Sequence, residues 1–342
     1  MRMDTLVTCM GESLIDFVPL AAGEIRPEDQ GTALSGSAVG TDFRMHSGGS
    51  ILNVAVGLAR LGHHVAFAGK IAQDYFGHHL LHTLKTEGVD TRFVSTSKAQ
   101  TALAFVAMEE GEPVYSFYGD GTADTLLTSE DIPHSLYQEA GILHVGSISL
   151  LRGTTPATVL QTFERLKGKA LLSLDPNIRT SMIHDEATYR TLLNRLIALT
   201  DILKLSYIDL AWLLPGASVE ASLLHLSALG PALVIITHGE KGVLARSVSS
   251  QTIHVSSFPV TVIDTVGAGD TFCAGVLARL ADEGILSREK VLSLTEQELQ
   301  AVIRFASAAA ALNCTREGAN PPGRSEVELY LQNSSRQALR EE

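Results

Sequence analysis

This sequence predicts an α/β chain built on a doubly wound, mostly parallel sheet, and three observations carry the prediction. From Ile142 onward, short apolar runs rich in β-branched residues alternate with helical patterns. That alternation is the signature of βαβ units, whose ligands sit at the C-terminal ends of the strands. At Val260–Leu280 a β-branched run, Val260 to Ile263, leads through Gly267-Ala268-Gly269-Asp270 into Phe272, Val276, Leu277 and Leu280 at helical spacing. It reads as strand, glycine turn, helix. Earlier, apolar runs at Thr101–Met108 and Pro113–Tyr118 flank Glu109-Glu110-Gly111-Glu112. They read as a β-hairpin with Gly111 in its turn, an excursion from the βα pattern.

The chain has 342 residues, 45% hydrophobic and 19% charged, which is ample for a large core. A formal net charge of −12 argues against nucleic acid or an anionic membrane as partner. Three cysteines with no CxxC spacing point to a reducing cytoplasm. Asp4, Glu12 and Asp16 come early and no apolar run is long, so neither a signal peptide nor a membrane span is expected. No repeat, low-complexity tract or linker divides the chain.

In order, Leu6–Met10 and Leu14–Val18 flank Gly11-Glu12-Ser13 and read as strand, with an end near Asp16. A carboxylate there can reach a cleft and accept from ligand hydroxyls, or simply serve a turn. Ala21–Met45 is rich in Gly, Ser, Thr and Ala and reads as loop with short edge strands. Ser47–Gly62 places Ile51, Val54, Ala55, Leu58 and Leu61 on one helical face after Gly48-Gly49. Asn53 falls in its first turn and Gly62 at its stop. Val65–Ile71 is a strand and Tyr75–Glu87 a helix. His78 and His82 are i,i+4 neighbours, but no third metal ligand is near, so a solvated face is the simpler reading. Strands follow at Ile142–Ser147, Ala170–Asp175, Asp201–Leu205 and Ala232–Thr237. Helices lie at Thr155–Leu166, Glu186–Leu199, Val219–Leu229 and Gln297–Leu312, and a polar tail begins after about Gln332.

The turn before the Asp270 helix carries the chemistry. Two glycines let successive N–H groups point into one concavity, and the helix N-terminus adds partial positive charge. That suits a phosphoryl group. Asp270 at its mouth could take the proton of a hydroxyl attacking phosphorus; the plain alternative is a helix cap. A helix N-terminus should also lower the pKa of Asp270.

DTVGAGDTF resembles the C-terminal signature of the ribokinase-like, PfkB-type carbohydrate kinases, DTxGAGDxF. SGGSILNVAVGLARLG matches every fixed position of their N-terminal signature, GGxxxNxAxxLxxLG. GESLIDFVP and FYGDGTADTLL are most similar to fructokinase-type members. The resemblance runs from Gly11 to Ala319. It implies one ribokinase-like domain over 1–342, with a small β-sheet lid from about 17–46 and 91–122. It implies an ATP-dependent sugar kinase with Asp270 as base and Gly267, Ala268 and Gly269 as anion hole. Asp16, Gly48, Gly49 and Asn53 would orient the sugar. Phe105 and Phe117 would pack on its apolar face, or only within the lid. Arg179, in Asp175-Pro176-Asn177-Ile178-Arg179, would hold a phosphate or sugar oxygen.

On the donor side the resemblance implies contacts from Lys204, Ser206, Thr237, Gly239, Gly242, Gly267, Gly269 and Asn313. Asp209 would hold magnesium through water, although Ser206 and Asp209 stand where the family usually has Asn and Glu. Asp264, Val266 and Gly318 would border a monovalent cation, potassium. A homodimer through the exposed lid edge is a further expectation. Gly119 stands where related members often carry a lid arginine, which favours a neutral sugar over 2-keto-3-deoxygluconate; ribose stays open. Two other classes compete. A dinucleotide oxidoreductase would need GxGxxG after the first strand, which here leads to GESLID instead. A catalytically silent binding protein would have lost the base or an anion-hole glycine, and both are present.

Overall fold

The computed structural model describes residues 5–19, 42–109, 112–248 and 251–341. The chain opens with β1 (Leu6–Met10), β2 (Leu14–Pro19) and β3 (Phe43–Gly48), then α1 (Ser50–Arg60), β4 (Val65–Ala72), α2 (Tyr75–Thr86) and β5 (Asp90–Ser97). A hairpin, β6 (Leu103–Glu109) and β7 (Glu112–Tyr118), follows, then α3 (His134–Glu139), β8 (Ala140–Gly146) and α4 (Thr155–Leu166). Next come β9 (Leu171–Asp175), α5 (Glu186–Leu199), β10 (Ile202–Ser206), α6 (Tyr207–Leu213), α7 (Val219–Leu229) and β11 (Leu233–Thr237). The last elements are β12 (Val243–Ser247), β13 (Ile253–Val255), α8 (Ala268–Asp282), α9 (Arg288–Leu292), α10 (Glu296–Cys314) and α11 (Arg324–Glu341).

Nine strands form the large sheet in the order β13-β12-β11-β10-β9-β8-β1-β4-β5. It is parallel from β5 to β11, and only β12 and β13 run antiparallel to their inner neighbours. Successive strand residues feed opposite faces, as the period-2 pleat requires. Leu233 and Ile235 join one buried cluster with residues of α1, α8 and α10, whereas Val234 and Ile236 join another with α4, α5 and α7. Helices therefore cover both faces. Order reverses beside β1, which has β4 on one side and β8 on the other. That switch point opens a crevice at the strands' C-terminal ends.

The second sheet has four strands, β3-β2-β6-β7. It stands over the crevice because β2 leaves the end of β1 directly and β3 runs straight into α1.

Three expectations change. Val260–Ile263 is not a strand: Val262 and Ile263 are exposed, and the Ile263 N–H donates to the Cys314 carbonyl at 2.8 Å. The run has β propensity but meets no sheet edge, and propensity without a pairing partner does not make a strand. Asp16 is not at a strand's end; it sits inside β2, paired with His46 and Ala104. Residues 91–97 of the expected lid span belong to β5, which pairs with β4 at the edge of the large sheet. Of the expected loop at Ala21–Met45, residues 21–41 lie outside the described residues, as does Gly111 of the hairpin turn.

Candidate active site

Two helix N-termini meet at the crevice. The first turn of α1 brings Ser50 and Asn53, and the first turn of α8 brings Asp270. Ser50 Oγ donates to Asp270 Oδ1 at 2.6 Å, and Asn53 Nδ2 donates to Oδ2 at 2.9 Å. The helices can approach because Gly57 lacks a Cβ, which would otherwise lie 2.8 Å from the Ala274 Cβ. Asp270 is buried, and burial raises its pKa, opposed by the two hydrogen bonds. This reverses the lowering expected from the helix N-terminus: desolvation is the largest influence on the group.

Asp16 faces the same space from the lid. Its Oδ2 occupies the volume that a Cβ on Gly48 would fill, at 2.0 Å, so Gly48 keeps that carboxylate in place. Burial, with the Asp270 charge second, raises Asp16 to about 6. Gly49 turns the chain into α1 at φ 103°, where a side chain would be strained and would crowd the Glu12 carbonyl at 3.1 Å. Register carries Asp16 to Ala104 and Ala104 to Phe117, so these three share one lid face. Phe105 lies on the opposite face. It stacks on Phe17 at 4.6 Å and meets Phe43 and Tyr118 edge-on, so it does not line the sugar side as expected. Alternation along the strand fixes this.

At α8, Gly267 is the N-cap at φ 73° with no side-chain cap. A Cβ there would strike Ala319 at 2.6 Å. The Ala268 N–H is turned toward the Thr265 carbonyl at 3.2 Å, so it does not point out of the turn as the expected anion hole requires. Beside Gly269 lies Lys204: its Nζ is 3.2 Å from where a Gly269 Cβ would be. Lys204 is buried and paired with Asp175 at 2.7 Å. Burial alone would lower its pKa, but Asp175 and neighbouring acids raise it, so it stays charged. An ammonium beside an uncapped helix N-terminus puts two positive elements together, an arrangement that favours an anion between them.

The remaining donor-side residues divide. Ser206 and Asp209 form the capping box of α6, and Asp209 Oδ1 also accepts from the Ile178 N–H at 2.7 Å. Both oxygens are engaged and the side chain is buried, so Asp209 does not present an open face for magnesium. The shorter acid folds back on its own helix. Asn313, expected beside the nucleotide, is fully buried; its Nδ2 donates to the Val266 carbonyl at 2.8 Å and its Oδ1 accepts from the Asn320 N–H at 3.0 Å. It clamps the loop before α8. Gly242 serves close packing on β13, since a Cβ would lie 2.2 Å from the Val255 carbonyl, whereas Gly239 faces open space. Thr237 ends β11 beside them, its Oγ1 within 3.4 Å of the Leu205 carbonyl. Arg179 is exposed and folds back on Asn177 Oδ1 at 2.7 Å. Asp264 accepts from Gly318 and Val266 N–H groups at 2.8 and 3.0 Å, so Asp264, Val266 and Gly318 do come together. Among the described residues no group of three His, Cys, Asp or Glu could hold a metal ion.

Sequence reasoning missed Glu12. It is fully buried at the switch point, bonded to Ser149 after β8 and to the Ile51 N–H at 3.4 Å. Burial raises it to about 7. Its only signal was an acid between two apolar runs. Asp175 was quoted only as part of a motif; its role as partner to Lys204 needs the three-dimensional neighbourhood of β9 and β10.

The chain matches the pfkB family carbohydrate kinase over residues 4–325. It belongs to that family. Among curated relatives, a fructokinase of Rhizobium leguminosarum bv. trifolii is 36% identical over 295 residues, 86% of each chain. Fructokinase-1 of Zea mays is 36% identical over 331 residues, 95% of this chain and 96% of the maize protein. Among solved structures, fructokinase with bound ATP from Xylella fastidiosa superposes with a TM-score of 0.86 at 28% identity, covering 97% of this chain and 100% of that one. The fold is ribokinase-like, and the carbohydrate kinase is a phosphotransferase acting on a sugar. No helix among the described residues is long and apolar enough to cross a membrane.

Proposed function

We propose that this carbohydrate kinase transfers the γ-phosphoryl group of ATP to a hydroxyl of fructose, with Asp270 as the base. The observation that carries the reading is the position of Asp270. It is held by Ser50 and Asn53 in the first turn of α8, next to an uncapped helix N-terminus and the Lys204 ammonium. Asp16 and Asn53 orient the acceptor. Its hydroxyl gives a proton to Asp270 as the oxygen attacks phosphorus. Charge gathering on the transferred group is met by the N–H groups of Gly267 and Gly269 and by Lys204. The raised pKa of Asp270 makes it a better base than an exposed aspartate.

Magnesium entering with ATP supplies charge neutralisation on its phosphates; Asp209, closed by its cap, is not asked to hold it. A potassium ion at the turn before α8 would have to share Asp264 and the Val266 carbonyl, whose oxygens already accept from Val266, Gly318 and Asn313. A second copy pairing along the lid edge, β3 or β7, belongs to the same reading, as does a cytoplasmic setting.

A coupled assay of ADP release tests it with fructose, ribose, glucose and 2-keto-3-deoxygluconate. The reading expects fructose to give the highest kcat/KM. Preference for the acid sugar, or no sugar-dependent turnover, would overturn it.

A further inference from the structure

Arg152 follows the 3-10 turn Ser147–Leu150, at the end of β8, and reaches across to the lid. Its guanidinium lies over the Phe117 ring at 5.5 Å from the centroid. Nη1 is tethered to Asp120 at 2.7 Å, and Nη2 lies 3.4 Å from His184 Nε2. Nε is buried without a partner. A buried donor left unpaired is costly, so something must favour arginine here. Its cation–π contact with Phe117 is one such reason: an ammonium can make one too, but only a planar guanidinium can also lie flat on the ring.

Phe117 is the aromatic that shares the lid face of Asp16, two strands away and so roughly 10 Å distant. It therefore forms the far wall of the acceptor cleft. Gly119 lets it sit there, because a Cβ at 119 would lie 2.0 Å from the Phe117 ring. Arg152 presses on this wall from the large sheet's side. Asp120 pairs with it, although that carboxylate is largely exposed, and the buried Asp124 also feels its charge.

We propose that Arg152 is a specificity-determining residue that positions the Phe117 wall, with its charge matched by Asp120 so that the wall receives an uncharged acceptor. Removing the tether leaves Arg152 only the buried Asp124 as counter-charge and so makes this end of the cleft more positive, which favours an acceptor that bears a carboxylate. The inference rests on the sugar-kinase reading above, so the wild-type enzyme is measured first on the sugar panel. That result judges the function alone, and Arg152 is then assayed on whichever neutral sugar turns over.

Arg152→Met should raise KM for that sugar about 10-fold, while kcat stays within about 2-fold and KM for ATP is unchanged. Arg152→Lys keeps a charge for Asp120 but has no planar face, and should stay within about 3-fold of the Met variant. Asp120→Asn should shift the kcat/KM ratio of 2-keto-3-deoxygluconate to the neutral sugar about 10-fold toward the acid. Asp120→Asn combined with Arg152→Met should lose that gain. A wild-type KM in Arg152→Met, or sugar and ATP constants rising together with a lower Tm, would overturn the positioning role. An unshifted ratio in Asp120→Asn would overturn the charge-matching role, and because Asp120 is exposed that variant remains readable even if Arg152→Met fails to fold.

Discussion

Gly48-Gly49 and Gly267-Ala268-Gly269 look like the same device, a glycine turn opening a helix, yet the fold finishes them differently. At α1 the N-terminus is answered by protein. The buried Glu12 carboxyl lies 3.4 Å from the Ile51 N–H, and the Asp16 carboxylate fills the space that Gly48 vacates. At α8 the N-cap glycine likewise carries no side-chain cap, but what stands beside the turn is the Lys204 ammonium, its Nζ 3.2 Å from where a Gly269 Cβ would be. One turn is closed and, in the proposed function, shapes the acceptor side. The other is open and positive, as a site for a transferring phosphoryl group has to be. A glycine turn before a helix is thus half of an anion site; what faces it decides whether anything binds.

The largest effect expected from breaking this contrast is at the base. Asp270→Asn should leave Tm within a few degrees and ATP binding intact, while kcat falls by roughly 10²–10⁴-fold. Stopped-flow or coupled kinetics on the purified variant, alongside ATP titration calorimetry, checks both halves.

The difference between the two turns was only partly legible in the sequence. Alternating apolar runs after Ile142 specified the sheet, because buried parallel strands and amphipathic helices leave strong periods. Helices α4, α5 and α7 fall at the expected residues. Local pattern failed where pairing decided the outcome. Val260–Ile263 had strand composition and no edge to join, and β5 could be assigned to a sheet only by its partner. In the site, Asp270 and the turn glycines were readable because chemistry and spacing coincide there. Glu12, Ser50 and Asp175 were not, since each acts through a residue far along the chain. Phe105 and Phe117 needed the register, as a single step along a strand reverses the face.

A second effect sharpens the acceptor side. Asp16, raised to about 6, and Asp270, also raised, must be ionised to accept from sugar hydroxyls and to take the proton. A raised carboxyl pKa means that the ionised form is lost sooner as pH falls. The acid limb of kcat/KM should therefore lie near pH 6 rather than near 4. Asp16→Asn removes the carboxyl that titrates near 6, so the limb should move away from pH 6 while KM for sugar rises. A pH profile of kcat/KM for both proteins reads this directly.

The smallest effect concerns the closed turn. Glu12 keeps its proton in the folded chain up to about pH 7, whereas the unfolded chain ionises it from about 4.5. Its contribution to stability is thus fully present below 4.5 and is lost as pH rises through 7. Glu12→Gln cannot ionise, so the Tm difference between variant and wild type should be about 3 °C more favourable at pH 8 than at pH 5. Thermal melts at the two pH values decide it, and a pH-independent difference would mean that Glu12 is already ionised in the fold.

The open turn itself is tested most directly at Gly269. A Cβ there meets only the flexible end of Lys204, so Gly269→Ala should fold normally and put a methyl group into the hole. Measured as kcat/KM and Tm on the same preparation, the account predicts a loss of about 10²-fold or more in kcat/KM with Tm changed by no more than about 2 °C. Wild-type kcat/KM in a correctly folded Gly269→Ala would contradict it, because the α8 N-terminus would then hold no part of the transferring group.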